Sequence, residues 1–392
     1  MTAPTGRIAW LDNLRTAIIV LVVNMHACVT YSHVGSWYIK EDPEPALGVR
    51  LAFIAWQLGL QSFFMGLLFF VAGFFSHRSL GRRGPAHFLR ERAFRLGLPA
   101  LLYMLLIHPI MAFVLLGHSR VPDRPPLAVL YSAYITSGDV LRGSGPLWFV
   151  LALLLFSAVL AGWRSLCPGS SQAMDTGSAA AAGPWGLLSF GIVLGLVTFG
   201  VRLFQPIGTS VLNFQLCYFP QYVAAFVVGV AAGRNGWLEA LANSRRARVA
   251  GWLGVIAGPA LLVLLLALGG PPPESGPYRY EGGANWRAFG LALWEQLAGL
   301  GLGLGMLALF RRRWTQAGRV ARWLSDRSFG VYVLHAPVLV ALTPLLRPLD
   351  AGPFAKALLL TLLGVGATLA AAEIAHRLPG LRGVRTRQWG RI

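Results

Sequence analysis

Charge is what this sequence has least of. Only 12% of its 392 residues are Asp, Glu, Lys or Arg, about half the share of an ordinary soluble domain. Acids are scarcer still. Fifteen Asp and Glu stand against 34 Lys and Arg, and the +19 balance comes almost entirely from arginine. On a soluble chain that charge would point to nucleic acid. Here the arginines lie between apolar runs instead of covering one domain, so no nucleic-acid partner is expected. Cysteine is nearly absent as well. Cys28, Cys167 and Cys217 are odd in number and scattered, which excludes a disulfide framework and a metal site built on thiolates. Also missing are a phosphate-cradling glycine loop, a G-x-S-x-G elbow and a zinc signature, which argues against soluble-type acyl-enzyme or metal chemistry. No small-residue cleavage site follows the first apolar run. Leu14 to Ser32 is therefore expected to stay as a span and not to be removed as a signal peptide.

What fills the chain is apolar. Hydrophobic residues make up 55% of it, and the mean hydropathy is +0.59. A helix that crosses a bilayer needs roughly 20 mostly apolar residues. Ten runs qualify, near 14–32, 52–75, 94–117, 146–163, 185–202, 217–233, 249–268, 289–310, 328–345 and 355–376. They predict an all-α fold, a polytopic membrane helical bundle with about ten transmembrane helices in one integral-membrane domain, 1–392. The fifth and sixth runs are diluted by Gly and polar residues. "PGSSQAMDTGSAAAAG", Pro168 to Gly183, is small and polar and reads as a flexible loop. "GGPPPESGP", Gly269 to Pro277, is too Pro-rich for a helix.

Arginine position sets the expected topology. With the N-terminus inside, 24 of the 34 Lys and Arg fall on the inner side and 10 on the outer. That bias marks cytoplasmic loops, and an even number of spans then leaves both termini cytoplasmic. "RRRWTQAGRVARW" and "FLRERAFR" are the most basic inner loops. Holding those loops in the cytoplasm is the plainest account of their arginines.

The first run, "LDNLRTAIIVLVVNMHACV", carries an ionisable residue deep in apolar sequence. Arg15 and His26 are eleven residues apart, so they share one face of a helix and lie about 16 Å apart along it. His33 falls near the same stripe. An ionisable group inside a membrane is costly and by default marks a functional pathway; the plain alternative is a neutral His hydrogen-bonded between helices. Cys28 faces about 200° away from His26, a poor place for a nucleophile.

Five ordered motifs carry a resemblance. They are Leu11–Asp12 with Leu14–Arg15 and then His26; Phe70, Ala72, Gly73 and Phe74; the basic loop with Arg90, Arg92 and Arg95; Leu147, Trp148 and Phe149; and Ser328, Gly330, Tyr332 and His335. In this order the chain resembles the membrane-bound acyltransferase-3 family, bacterial enzymes that O-acylate sugars and glycans. Within it, the glucan-succinylating branch looks nearest. Pro146 stands where many members have a His, which weakens any role for that corner. The resemblance implies a multi-pass protein of the bacterial cytoplasmic (inner) membrane. It implies an acyl group moved from a cytoplasmic acyl-CoA to a hydroxyl of an extracytoplasmic carbohydrate acceptor, with no permanently bound cofactor and no metal.

Roles follow as expectations from that resemblance. His26 is the general base. His335 is either a second polar group beside it or a packing residue next to Pro337. Glu295, inside the eighth run, orients His26, binds acceptor hydroxyls or is only interfacial. Arg15 meets CoA phosphates or pairs with Asp12, and Arg90, Arg92 and Arg95 suit phosphate through bidentate guanidinium contact. Gln57 and Gln61 share a helix face and bind substrate or glue helices; Trp148 is counted with them as substrate-binding. A rival reading is a multi-pass transporter of a glycan or acyl-donor precursor, although no internal repeat is visible.

Overall fold

The computed structural model describes residues 8–118, 125–167, 183–270, 280–316 and 318–377. Most of the two loop segments expected from sequence, 168–182 and 271–279, lies outside the described residues. Among the described residues, ten helices are long and apolar enough to cross a membrane: α1 Ala9–Ser32, α2 Leu47–Arg83, α3 Pro85–Gly117, α4 Gly145–Leu166, α5 Pro184–Arg202, α6 Leu216–Asn235, α7 Arg245–Gly269, α8 Trp286–Arg313, α9 Arg319–Leu346 and α10 Pro353–Ala375. Each overlaps one of the ten apolar runs, the diluted fifth and sixth included. Several run past the apolar stretch at the basic end, α2 to Arg83 and α8 to Arg313. There the helices continue through arginines that pair with acids of neighbouring segments, Arg83 with Glu91 and Arg311 with Glu239.

Local chemistry sets the helix ends. Asn285 caps α8, its Oδ1 accepting from the Arg287 and Ala288 amides at 3.0 and 3.1 Å. Ser244 caps α7 by accepting from the Ala247 amide at 3.0 Å. Such caps satisfy donors that the first turn of a helix leaves open. α3 is irregular: two π-helical stretches, Ala93–Gly97 and Tyr103–Ile107, flank Pro99. Proline has no amide to give the i−4 carbonyl, and wider turns of this kind recur at functional sites. Arg95 lies in the first and Tyr103 opens the second.

Lipid tails are as apolar as leucine, so helices in a bilayer associate through close packing of small residues. α2 and α6 pack closely against each other. A Cβ added at Gly73 would strike the Phe226 carbonyl, and one at Gly229 would strike the Phe70 carbonyl. α7 and α8 cross at Gly251 and Gly305, where an added Cβ on Gly251 would lie 2.5 Å from the Gly305 Cα. α1 packs against α2, α8, α9 and α10, so its polar stripe faces protein.

Candidate active site

Arg15 and His26 lie on the stripe of α1 that α9 covers. Arg15 Nη2 donates to Ser325 Oγ at 3.3 Å. Further up, the His26 and His335 rings stack with centroids 5.2 Å apart. Residues eleven apart on α1 thus meet residues ten apart on α9 in the same order, as two parallel helices in register require. The Arg15–His26 spacing and the Ser328–His335 motif belong to one seam.

The chain after α1 turns back over this seam. His33 closes the helix with φ 60, in the left-handed region. Its Nε2 then donates to the Glu41 carbonyl at 2.8 Å, and the Glu41 amide donates to the Thr30 carbonyl at 2.9 Å. Lys356 of α10 pairs with the Glu41 carboxylate. Held at both ends, the loop lays Trp37 on His26, with centroids 4.0 Å apart and planes within 17°. Trp37 and His335 are 6.3 Å apart, with planes within 13°. The three separations place His335 beside His26, close to a right angle from the direction of Trp37. Trp37 therefore covers one face of His26, with His335 to the side.

Hydrogen bonding fixes one tautomer. His335 is fully buried, and its Nδ1 lies 2.6 Å from the Tyr332 carbonyl. A carbonyl can only accept, so Nδ1 carries the proton and Nε2 keeps a lone pair. That Nε2, the Nδ1 of His26 and the Nε1 of Trp37 are all buried without a hydrogen-bond partner. Buried polar atoms are ordinarily satisfied, and a cluster of unsatisfied ones calls for an explanation in function. Here the cluster brings a proton acceptor and a donor together.

The turn into α4 seals the far side. Tyr332 donates its hydroxyl hydrogen bond to the Pro146 carbonyl, and its ring meets Phe149 at 5.9 Å. The Pro146 corner thus supports the histidine helix through its backbone, a role that needs no side-chain base there. Asn213 clamps the same corner from above, donating to Ser144 Oγ at 2.7 Å and to the Gly145 carbonyl at 2.8 Å. Beside Trp37, the Tyr38 hydroxyl meets His108 Nδ1 at 2.9 Å and the Tyr103 hydroxyl at 3.1 Å. Burial pushes the Tyr38 phenol up to about 12 against the opposing hydrogen bond with Tyr103. It therefore keeps its proton and ties the loop to α3.

At the inner end of the seam lies a basic cluster. Arg15 pairs with Asp12 at 3.5 Å. Glu91 is shared by Arg83 and by Arg95, the latter at 3.0 Å. Arg92 is buried, donates to Ser76 Oγ at 3.0 Å and lies 5.2 Å above the Phe88 ring. Its Nη1 is buried without a hydrogen-bond partner. Arg95 lies within electrostatic reach of Arg15 and Arg83. Arg15, Arg83, Arg92 and Arg95 thus gather with Asp12 and Glu91 at the foot of the stripe that leads to His26. Arg90 is exposed, on a different face from the buried Arg92.

Other expected residues sit elsewhere. Glu295 does not orient His26: its Oε2 accepts from Arg202 Nη2 at 2.6 Å and its Oε1 accepts from Gln296 at 3.3 Å. Both members of that ion pair are buried, and a buried guanidinium holds the nearest carboxylate more strongly than a neutral imidazole can. Gln57 accepts from Ser32 Oγ at 3.1 Å and donates to the Val34 carbonyl at 3.2 Å, which pins the root of the Trp37 loop. Gln61 donates to the Tyr222 hydroxyl at 2.9 Å and joins α2 to α6. Trp148 stacks on Tyr222 at 5.5 Å and meets Phe149 edge-on at 6.4 Å. Cys28 is buried, its Sγ 3.8 Å from Asn24 Oδ1, on the side of α1 away from His26. Among the described residues no group of three His, Cys, Asp or Glu side chains is placed to hold a metal ion.

Sequence pattern does not single out Trp37, Tyr38, Tyr103 or Arg202. The available signals are a Trp–Tyr pair just beyond the first span, and an arginine closing the fifth span with no acid near it in sequence. Each becomes meaningful only through a partner far along the chain.

A family model described as an acyltransferase domain, that of the acyltransferase-3 family, matches residues 8–373. No curated protein and no solved structure matches the chain.

Proposed function

The chain belongs to the acyltransferase-3 family, and from that premise we propose that this membrane acyltransferase moves an acyl group from acyl-CoA on the cytoplasmic side to a hydroxyl of an extracytoplasmic sugar or glycan. The observation that carries this reading is the single seam of α1 and α9, with clustered arginines at one end and, toward the other, His26 and His335, each with one buried ring nitrogen that has no hydrogen-bond partner. A CoA ester is a large anion with its reactive carbon at the tip of a long neutral arm. Arg15, Arg92 and Arg95 suit its phosphates. The run of about 16 Å along α1 from Arg15 to His26 is comparable to an extended pantetheine arm.

At the tip, the acceptor hydroxyl meets the thioester beside the imidazole pair. His26, on the donor stripe, takes the hydroxyl proton as the oxygen attacks and returns it to the departing thiolate. His335 offers a second basic nitrogen, Nε2, oriented by the Tyr332 carbonyl in the way a catalytic imidazole is usually held. Holding the two reactants side by side at the imidazole pair would supply the proximity that drives direct transfer, with no acyl-enzyme. In this reading both termini are cytoplasmic and the enzyme resides in the bacterial inner membrane. Reporter fusions after Trp37, Asp139 and Glu281 then report outside, and fusions after Arg83 and Arg319 inside.

The direct test uses purified protein in lipid nanodiscs, with acetyl-CoA or succinyl-CoA as donor and a glycan extract of the cell envelope as acceptor. Glycan-dependent release of CoA thiol, with a matching acyl mass added to the glycan, is the expected result. Succinyl transfer would extend the likeness to the glucan-succinylating branch. Absence of thiol release and of added mass with both donors would refute the reading.

A further inference from the structure

We propose that Trp37 is a catalytic residue, its indole N–H donating the hydrogen bond that stabilises the oxyanion formed when the thioester carbonyl is attacked. The inference rests on the acyl-transfer function proposed above. Such a reaction needs a donor as well as a base. The hydroxyl oxygen forms a bond to the carbonyl carbon, the C=O π electrons move onto oxygen, and the hydroxyl proton passes to an imidazole. On collapse the C–S bond breaks, the carbonyl re-forms and the imidazolium returns its proton to the thiolate. Atoms and charge balance with no further reactant.

The negative oxygen in this sequence has few places to find a donor. The centre lies within helices, whose backbone amides are engaged in their own ladders. His335 has given its only N–H to the Tyr332 carbonyl. Tyr332 has given its hydroxyl to Pro146, and Tyr38 is engaged by His108 and Tyr103. Trp37 is different. Indole nitrogen is a donor only, this one is buried without a partner, and its ring lies 4.0 Å from His26 and 6.3 Å from His335. The indole N–H therefore belongs to the same cluster as the two imidazoles. The loop bonds from His33 to Glu41 and the ion pair from Glu41 to Lys356 fix the indole before substrate arrives, and a preorganised donor is the kind that accelerates charge development.

Two substitutions separate this role from simple roofing. Trp37→Phe keeps a stacking ring and removes the N–H. Replacing Trp37 with the non-natural amino acid 3-benzothienylalanine keeps ring size and shape and exchanges N–H for sulfur. With acetyl-CoA or succinyl-CoA and the envelope glycan extract, both variants are expected to keep the donor KM within about twofold. Both should lose kcat by about 100-fold or more, the scale of one oxyanion donor. A benzothienyl enzyme working within threefold of wild type would overturn the proposal and leave Trp37 a roof, even if the Phe variant fails to fold. A wild-type enzyme that releases no thiol brings down the underlying reading and this inference together. Wild-type turnover with a fully active benzothienyl variant removes only the inference.

Discussion

Glu295→Leu isolates what the buried ion pair does. Arg202 and Glu295 are 0% and 1% exposed and meet at 2.6 Å, while Arg202 Nε and Nη1 are buried without hydrogen-bond partners. With charge centres about 4 Å apart, Coulomb attraction at an effective dielectric of about 20 amounts to about 4 kcal/mol. Mutational experience with buried pairs gives about 3–5 kcal/mol for removing one partner, since the other charge is stranded. Both routes set the expected cost of Glu295→Leu at about 4 kcal/mol. Arg202→Met alone strands the carboxylate and should cost about as much. The double variant removes both charges and is expected near wild type, far from the sum of the two single costs. The assay is reversible unfolding in mixed micelles across an SDS titration, with transferase activity measured on the fraction still folded. A Glu295→Leu enzyme as stable as wild type but inactive would refute the reasoning and return Glu295 to the chemistry.

Three further outcomes are expected. His26→Ala and His26→Gln should both fold, bind donor nearly normally and lose kcat by about 100-fold or more; if Gln restores activity while His335→Gln abolishes it, the proton acceptor is His335 Nε2. Arg92→Lys with Arg95→Lys keeps the charge that fixes topology but loses the guanidinium fork, so the apparent donor KM should rise about tenfold, the scale of one charge-assisted hydrogen bond, whereas an unchanged KM would mean that these arginines only anchor the loop. Gly229→Ala should destabilise the α2–α6 crossing by about 1–3 kcal/mol, because its Cβ strikes the Phe70 carbonyl. In the same unfolding assay Gly48→Ala, with open space around it, should fall within about 0.5 kcal/mol of wild type.

Much of this protein is determined by its sequence alone, and the reason is the solvent. A bilayer core leaves backbone groups no partner but their own helix, so ten apolar runs become ten helices whatever their neighbours, even where Gly and polar residues dilute them. The Arg15–His26 stripe is legible for the same reason, because helical periodicity is local. The motif order from Leu11 to His335 likewise points to the family without any contact being known. Tertiary structure decided what each polar residue meets. Glu295 looks catalytic in sequence because it is an acid within a span. It is claimed by Arg202, 93 positions earlier, and nothing local announces that partner. Gln57 and Gln61 share a face, yet one pins a loop and the other bridges to Tyr222. Trp37 stands in a connecting loop, where no periodicity applies, and only the fold-back secured by Glu41 and Lys356 brings it onto His26. Helix formation is a property of each segment in lipid, whereas the cluster of His26, Trp37 and His335 is a property of distant chain regions meeting, which no local pattern encodes.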